Sequence, residues 1–128
     1  MEKLKFTLFI LAVMFISSCN LCHAQELTAS WYSVASLKQE GTWSYSHGKM
    51  ANGQKFKDNG FTCATRLYPL GTRLCVSSSV NHKQVCVIVT DRIGRRFATQ
   101  RIDLSKEAFS KISKLNKGII KVTVRKES

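Results

Sequence analysis

Acidic residues are scarce in this chain: eight aspartates and glutamates stand against twenty lysines and arginines, a net charge of +12. So few carboxylates are unlike general surface filler, and where they sit carries information. Beyond the first 24 residues there is no Cys-x-x-Cys and no His-x-x-x-His spacing, so no metal site is expected, and no cofactor. No apolar run is long enough to span a bilayer: the run from Phe6 to Ile16 falls short of the ~20 residues a membrane helix needs. Nucleic-acid-binding motifs are missing too, which argues against DNA or RNA as the partner of the positive charge. Finally, the length leaves no room for a second domain once a leader is removed.

What is present begins with that leader. Lys3 and Lys5, the apolar run and the small residues after it have the layout of a secretory signal over residues 1–24. Two cleavage readings overlap. Cys22-His23-Ala24 suits ordinary cleavage before Gln25, whereas Ile16-Ser17-Ser18-Cys19 resembles a lipobox, in which Cys19 is lipidated and tethers the protein. Residues 25–128 then form a single exported domain of net charge +11, expected as a monomer. So basic a surface favours anionic polymers such as cell-wall glycan or lipid headgroups, or is simply solvated.

Three cysteines remain after the leader, an odd number. With Asn81-His82 as a hairpin turn, Cys75 and Cys86 face the same way on adjacent strands. They are either a disulfide or small strand-filling residues, and a diagonal placement favours the latter.

Short β-patterned runs dominate the rest: 28–34, 61–64, 72–77, 85–90 and 119–124, with Val85, Val87 and Val89 alternating toward a core. Residues 38–59, with Gly41, Gly48 and Gly53, read as a long loop of the kind that carries function. One helix is expected after Ser105, over 106–112, with Glu107 in its first turn and Ala108, Phe109 and Ile112 as its apolar stripe. Many short strands and one helix in ~100 residues point to a small closed β-barrel.

Asp91 ends one of the β-runs, and Asp103 lies twelve positions later, where it reads as the opening of the helix. Brought together, they form a candidate acid/base site. Set against this, Asp91 has Arg92, Arg95 and Arg96 nearby as ion-pair partners, and Asp103 is placed to cap the helix.

The succession ASWYS (29–33), HGKMANGQKF (47–56), FTCATRLYPLGTRLCV (61–76), VTDRIGRRF (89–97) and RIDLSKEAF (101–109) resembles the rare lipoprotein A (RlpA) family. The resemblance covers nearly the whole chain after the leader. It implies a six-stranded double-psi β-barrel with one or two short helices, in an exported bacterial protein that acts on peptidoglycan. The implied activity is that of an endolytic lytic transglycosylase on glycan strands lacking stem peptides, leaving 1,6-anhydromuramyl ends. Expansins share this barrel and a similar pair of aspartates.

The resemblance also nominates residues. Asp91 is the expected catalytic carboxyl, with Asp103 in support. Ser30 and Tyr32 are expected to bond and stack on sugar, and Asn52 and Gln54 to hydrogen-bond N-acetyl groups. His47 lies nearest the motif, and Arg92 and Arg101 offer planar forks to anionic wall groups. Departures matter as well. Gln54 stands where the family has a glutamate, Thr65 where it has a histidine, and Asp91-Arg92-Ile93-Gly94 replaces Asp-Arg-Gly-Pro. Hydrolytic glycosidases need two carboxylates, but intramolecular attack by a muramyl 6-hydroxyl needs one. Two functions follow from these residues: a transglycosylase dependent on Asp91, or a non-catalytic, expansin-like wall-binding module.

Overall fold

A computed structural model describes residues 24–97 and 99–127; most of the leader, including Cys19, lies outside the described residues. Six strands appear: β1 (Gln25–Tyr32), β2 (Thr62–Ala64), β3 (Arg73–Ser78), β4 (Gln84–Asp91), β5 (Arg101–Ser105) and β6 (Ile120–Lys126). They pair in the order β1-β5-β2-β4-β3-β6 and close on themselves, so the expected six-stranded barrel is what forms. Pairs β1·β5 and β2·β4 are parallel and the other four are antiparallel.

Period-two alternation drives the closure. Leu27 and Ala29, Leu74 and Val76, Val85, Val87 and Val89, Ile102 and Leu104, and Val122 and Val124 turn inward into one buried cluster. Each fully buried valine or leucine there contributes about 1.5–3 kcal/mol. Phe109 and Ile112, from and just beyond helix α3 (Lys106–Ser110), join the same cluster and are fully buried.

Among the described residues three α-helices form rather than one or two. Helix α1 (Val34–Gln39) starts before the expected loop, and α2 (Thr42–Ser46) lies within it. The N-terminus of α1 is closed by a capping box made of two serines. Ser36 N donates to Ser33 Oγ (3.1 Å), and Ser33 N donates to Ser36 Oγ (2.9 Å). The usual signature has Glu or Gln at the third helical position, so Ser36 conceals this start from sequence reading.

A second difference moves a key residue. Asp103 does not open a helix; it sits in mid-strand on β5, with Ile102 and Leu104 turned inward on either side. Capping of α3 falls to Ser105, whose Oγ accepts from Ala108 N (3.3 Å). Five residues of alternation, two of them charged and ending on a helix cap, carry too little pattern to read as a strand.

Between β3 and β4 the chain turns through Ser79–Lys83, with His82 at φ 61°. Cys75 and Cys86 are directly opposed in the register, not diagonal, and their sulfurs are bonded. Cys63 is a buried free thiol facing the interior.

Candidate active site

Strand pairing creates the site. Ala64 on β2 registers with Asp91 of β4 on one side and Asp103 of β5 on the other. Adjacent strands lie ~4.8 Å apart, so the two aspartates are carried on backbones separated by about 10 Å, with a single small residue between them. The bulge at Cys63/Ala64 shifts the β2·β4 register and brings Asp91 to this level.

On β1, Ser30 is the register partner of Asp103, and its hydroxyl donates to Asp103 Oδ1. Arg101 completes the group: its Nε lies 3.1 Å from Ser30 Oγ and 3.5 Å from Asp103 Oδ1. Burial nevertheless pushes the Asp103 carboxyl above its ordinary value, against the downward pull of Ser30 and Arg101.

Asp91 is held by the loop that covers this wall of the barrel. Its Oδ1 accepts from Ala51 N (3.0 Å) and from its neighbour Arg92 N (2.9 Å). Burial pushes this carboxyl up as well, outweighing the two N–H groups and the Arg92 charge. Both aspartates are therefore easier to protonate than a solvated carboxyl, through desolvation rather than like-charge pairing.

The covering loop is a compact hairpin. Met50 N donates to Gln54 O (2.8 Å), Phe56 N to Gly48 O (2.8 Å) and Asn52 N to Thr90 O (3.0 Å), the last anchoring it to β4. Gly48 (φ 74°) allows the loop to pass against Trp43: a Cβ at this position would lie 2.7 Å from the indole. Asn52 and Gln54 are exposed and bonded to each other, Asn52 Nδ2 to Gln54 Oε1 (3.1 Å) and Gln54 N to Asn52 Oδ1 (3.0 Å).

The other nominated residues have these surroundings. Arg92 points its Nη1 at two backbone carbonyls, Thr65 O and Tyr68 O, each at 2.7 Å, and so braces the β2–β3 connection. Thr65 is fully buried, its hydroxyl donating to Arg101 O (3.4 Å) and accepting from Leu67 N (3.2 Å). His47 is an exposed αL residue ending α2. Tyr32 stacks its ring on Phe56, with centroids 4.4 Å apart.

Sequence reading passed over Ala51, which contributes only a backbone N–H, as well as Phe56 and Asp58. Asp58 Oδ1 accepts from Val34 N (2.7 Å) and its carbonyl from Glu107 N (3.0 Å), tying α1 to α3. The scarcity of acids was the signal that could have drawn attention to it. Among the described residues one trio of potential metal ligands meets, Cys75, Cys86 and Glu127, and the disulfide consumes both of its thiolates. A cleft of about 600 Å³ lined by Asn81, Lys83, Ile112 and Lys114, among others, contains no carboxylate.

Residues 24–124 match the family model described as lytic transglycolase. The Probable endolytic peptidoglycan transglycosylase RlpA of Treponema pallidum is 35% identical over 83 residues, covering 65% of this chain and 26% of its own length. The Endolytic peptidoglycan transglycosylase RlpA of Rickettsia prowazekii is 35% identical over 97 residues, 75% of this chain and 28% of its own. The chain thus spans about a quarter of the length of these curated relatives. A Clavibacter michiganensis expansin variant, solved in complex with cellohexaose, superposes with a TM-score of 0.60 at 19% identity, over 82% of this chain and 50% of the expansin. That likeness is one of fold. With the closed six-stranded barrel and the matched segment running through all but the end of its last strand, the chain belongs to the lytic transglycolase family, among proteins of the rare lipoprotein A type.

Proposed function

We propose that this protein is an exported lytic transglycosylase that cleaves peptidoglycan glycan strands lacking stem peptides. One observation carries the reading: two carboxyls that burial makes easy to protonate flank Ala64 on one wall of the barrel. Asp91 is the acid. Its hydrogen bonds fall on Oδ1, which leaves Oδ2 for the substrate.

The Asp91 proton passes to the glycosidic oxygen as the bond from the anomeric carbon breaks. The resulting carboxylate then takes the proton of the muramyl 6-hydroxyl, whose oxygen bonds to the anomeric carbon and closes a 1,6-anhydro ring. No water is consumed, and the carboxyl ends as it began. Asp103, hydrogen-bonded by Ser30 and ion-paired with Arg101, supports the site as a carboxylate near the developing oxocarbenium ion. Exposed basic residues hold the anionic wall, and the chain acts as a monomer. Export proceeds either with cleavage after Ala24, giving a free form, or ahead of Cys19, giving a lipid-tethered one.

A second reading rests on Gln54. Its amide is bonded to Asn52 and brings no third carboxyl to the groove, which favours a module that binds glycan without cutting it. Incubation with denuded glycan strands, followed by mass spectrometry, separates the two. The transglycosylase releases 1,6-anhydromuramyl products, and Asp91→Asn lowers their rate at least about 100-fold. Binding without products at any pH between mild acid and neutrality would leave the binding module as the answer.

A further inference from the structure

A cleft of about 360 Å³ lies against the loop that grips Asp91, lined by Met50, Gln54, Lys55, Lys57, Gly60 and Thr62. Its walls come from the returning arm of the 48–56 hairpin, the turn in which Gly60 N donates to Lys57 O (3.2 Å), and the first residue of β2. Both lysines are exposed, and neither makes an ion pair among the described residues. The Lys55 ammonium stands 5.6 Å from the Trp43 ring, a contact that holds it without neutralising its charge. Gln54 has its Oε1 engaged by Asn52 Nδ2 (3.1 Å), which leaves its Nε2 as a further donor. No carboxylate is among the lining residues, so the cleft suits an anion.

Its position relative to the candidate acid indicates which anion. Met50 lines the cleft, and the next residue, Ala51, donates its N–H to Asp91 Oδ1. Met50 Sδ also accepts from the hydroxyl of Thr90, the neighbour of Asp91 (3.1 Å). On the other wall, Thr62 precedes Ala64, the residue between the two aspartates, by about 6.6 Å of strand. A glycan held for cleavage at Asp91 therefore brings a neighbouring sugar beside the two lysines. Muramic acid bears a lactyl ether whose carboxyl is amide-bonded to the stem peptide; in a strand without stems that carboxyl is free and ionised at neutral pH. A stem turns it into an uncharged amide and carries any charge of its own farther from the ring.

We propose that the cleft of Lys55, Lys57 and Gln54 receives the free lactyl carboxylate of a muramyl residue and so selects strands that lack stem peptides. The proposal rests on the transglycosylase reading and deepens it, by assigning the choice of substrate to named residues. All three bind and orient; none takes part in bond making.

The test uses calorimetry on Asp91→Asn, so that nothing is cut, with short denuded oligosaccharides and the same oligosaccharides after conversion of their lactyl carboxyls to primary amides. The free acid should bind about fivefold more tightly than the amide. Lys55→Gln/Lys57→Gln should bring that ratio to about one, whereas Lys117→Gln/Lys121→Gln, with the same loss of charge at exposed positions elsewhere, should leave it unchanged. Gln54→Glu, which sets a like charge in the cleft at nearly constant shape, should lower the ratio as well. With Asp91 intact, the Lys55 and Lys57 substitutions should raise KM for denuded strands and leave kcat in place. Equal binding of acid and amide, a ratio kept without Lys55 and Lys57, or one lost equally in the control, overturns the proposal. The binding assay needs no turnover, so the two readings fail separately. A preference that depends on these lysines in a protein that makes no anhydro products keeps the cleft's role and removes the transglycosylase; products without such a preference do the reverse.

Discussion

Asp91 sits where burial disfavours charge, and two backbone N–H groups offset this only in part. The folded chain therefore binds the Asp91 proton more tightly than the unfolded chain, whose carboxyl titrates near its ordinary value of 3.8. Between those two values the folded state carries more protons, so stability falls as pH rises. The Asp91 contribution is complete below about 3.8 and is lost once pH passes the folded-state value. An asparagine still offers an oxygen to Ala51 N and Arg92 N, but has no charge to bury. Asp91→Asn should accordingly melt at or above the wild-type temperature at neutral pH, with the difference vanishing at the acid end. Calorimetry across pH measures this directly, and a variant clearly less stable at neutrality would contradict the desolvation account.

At the level of elements, the loop over residues 48–56 is what turns a strand end into a site. It has no regular structure beyond one bridge between Lys49 and Lys55, yet it holds Asp91 through Ala51 and Tyr32 through Phe56. Its seat depends on Gly48, which combines a left-handed backbone with close approach to Trp43. Trp43 is also flanked by the ammonium groups of Lys38 and Lys55, 5.5 and 5.6 Å from its ring, so helix α2 and the loop are fastened at a common point. Gly48→Ala should cost about 1–3 kcal/mol in urea unfolding. Because the displaced loop carries Ala51, the rate of anhydro-product release should fall with it. A variant of unchanged stability would show that the indole yields freely.

For the whole molecule, closure of the barrel removes exposed sheet edges and leaves the excess positive charge on its outside. Two carboxyls in a basic molecule sit in a field that draws polyanions toward them, and this attraction is screened by salt, with a Debye length of about 10 Å at 0.1 M. Binding to isolated sacculi should therefore weaken steeply between low salt and roughly 0.5 M in a co-sedimentation assay. Retention of most of the bound protein at the higher salt would point to stacking and hydrogen bonds as the main source of affinity.

By itself the sequence determined the class of fold, because alternation such as Val85, Val87 and Val89 states which side chains face inward, and Ser105 before an apolar stripe marks the α3 helix. It also singled out Asp91 as the end of a strand in a chain poor in acids. Alternation assigns a face but not a neighbour. That Asp91 and Asp103 flank Ala64, that Arg92 turns to Thr65 O and Tyr68 O, and that Tyr32 lies against Phe56 all depend on contacts between residues 24 to 39 positions apart, or on which strands pair. Those choices were made by closing the barrel around its buried core, an energy summed over the whole chain and written in no single segment of it.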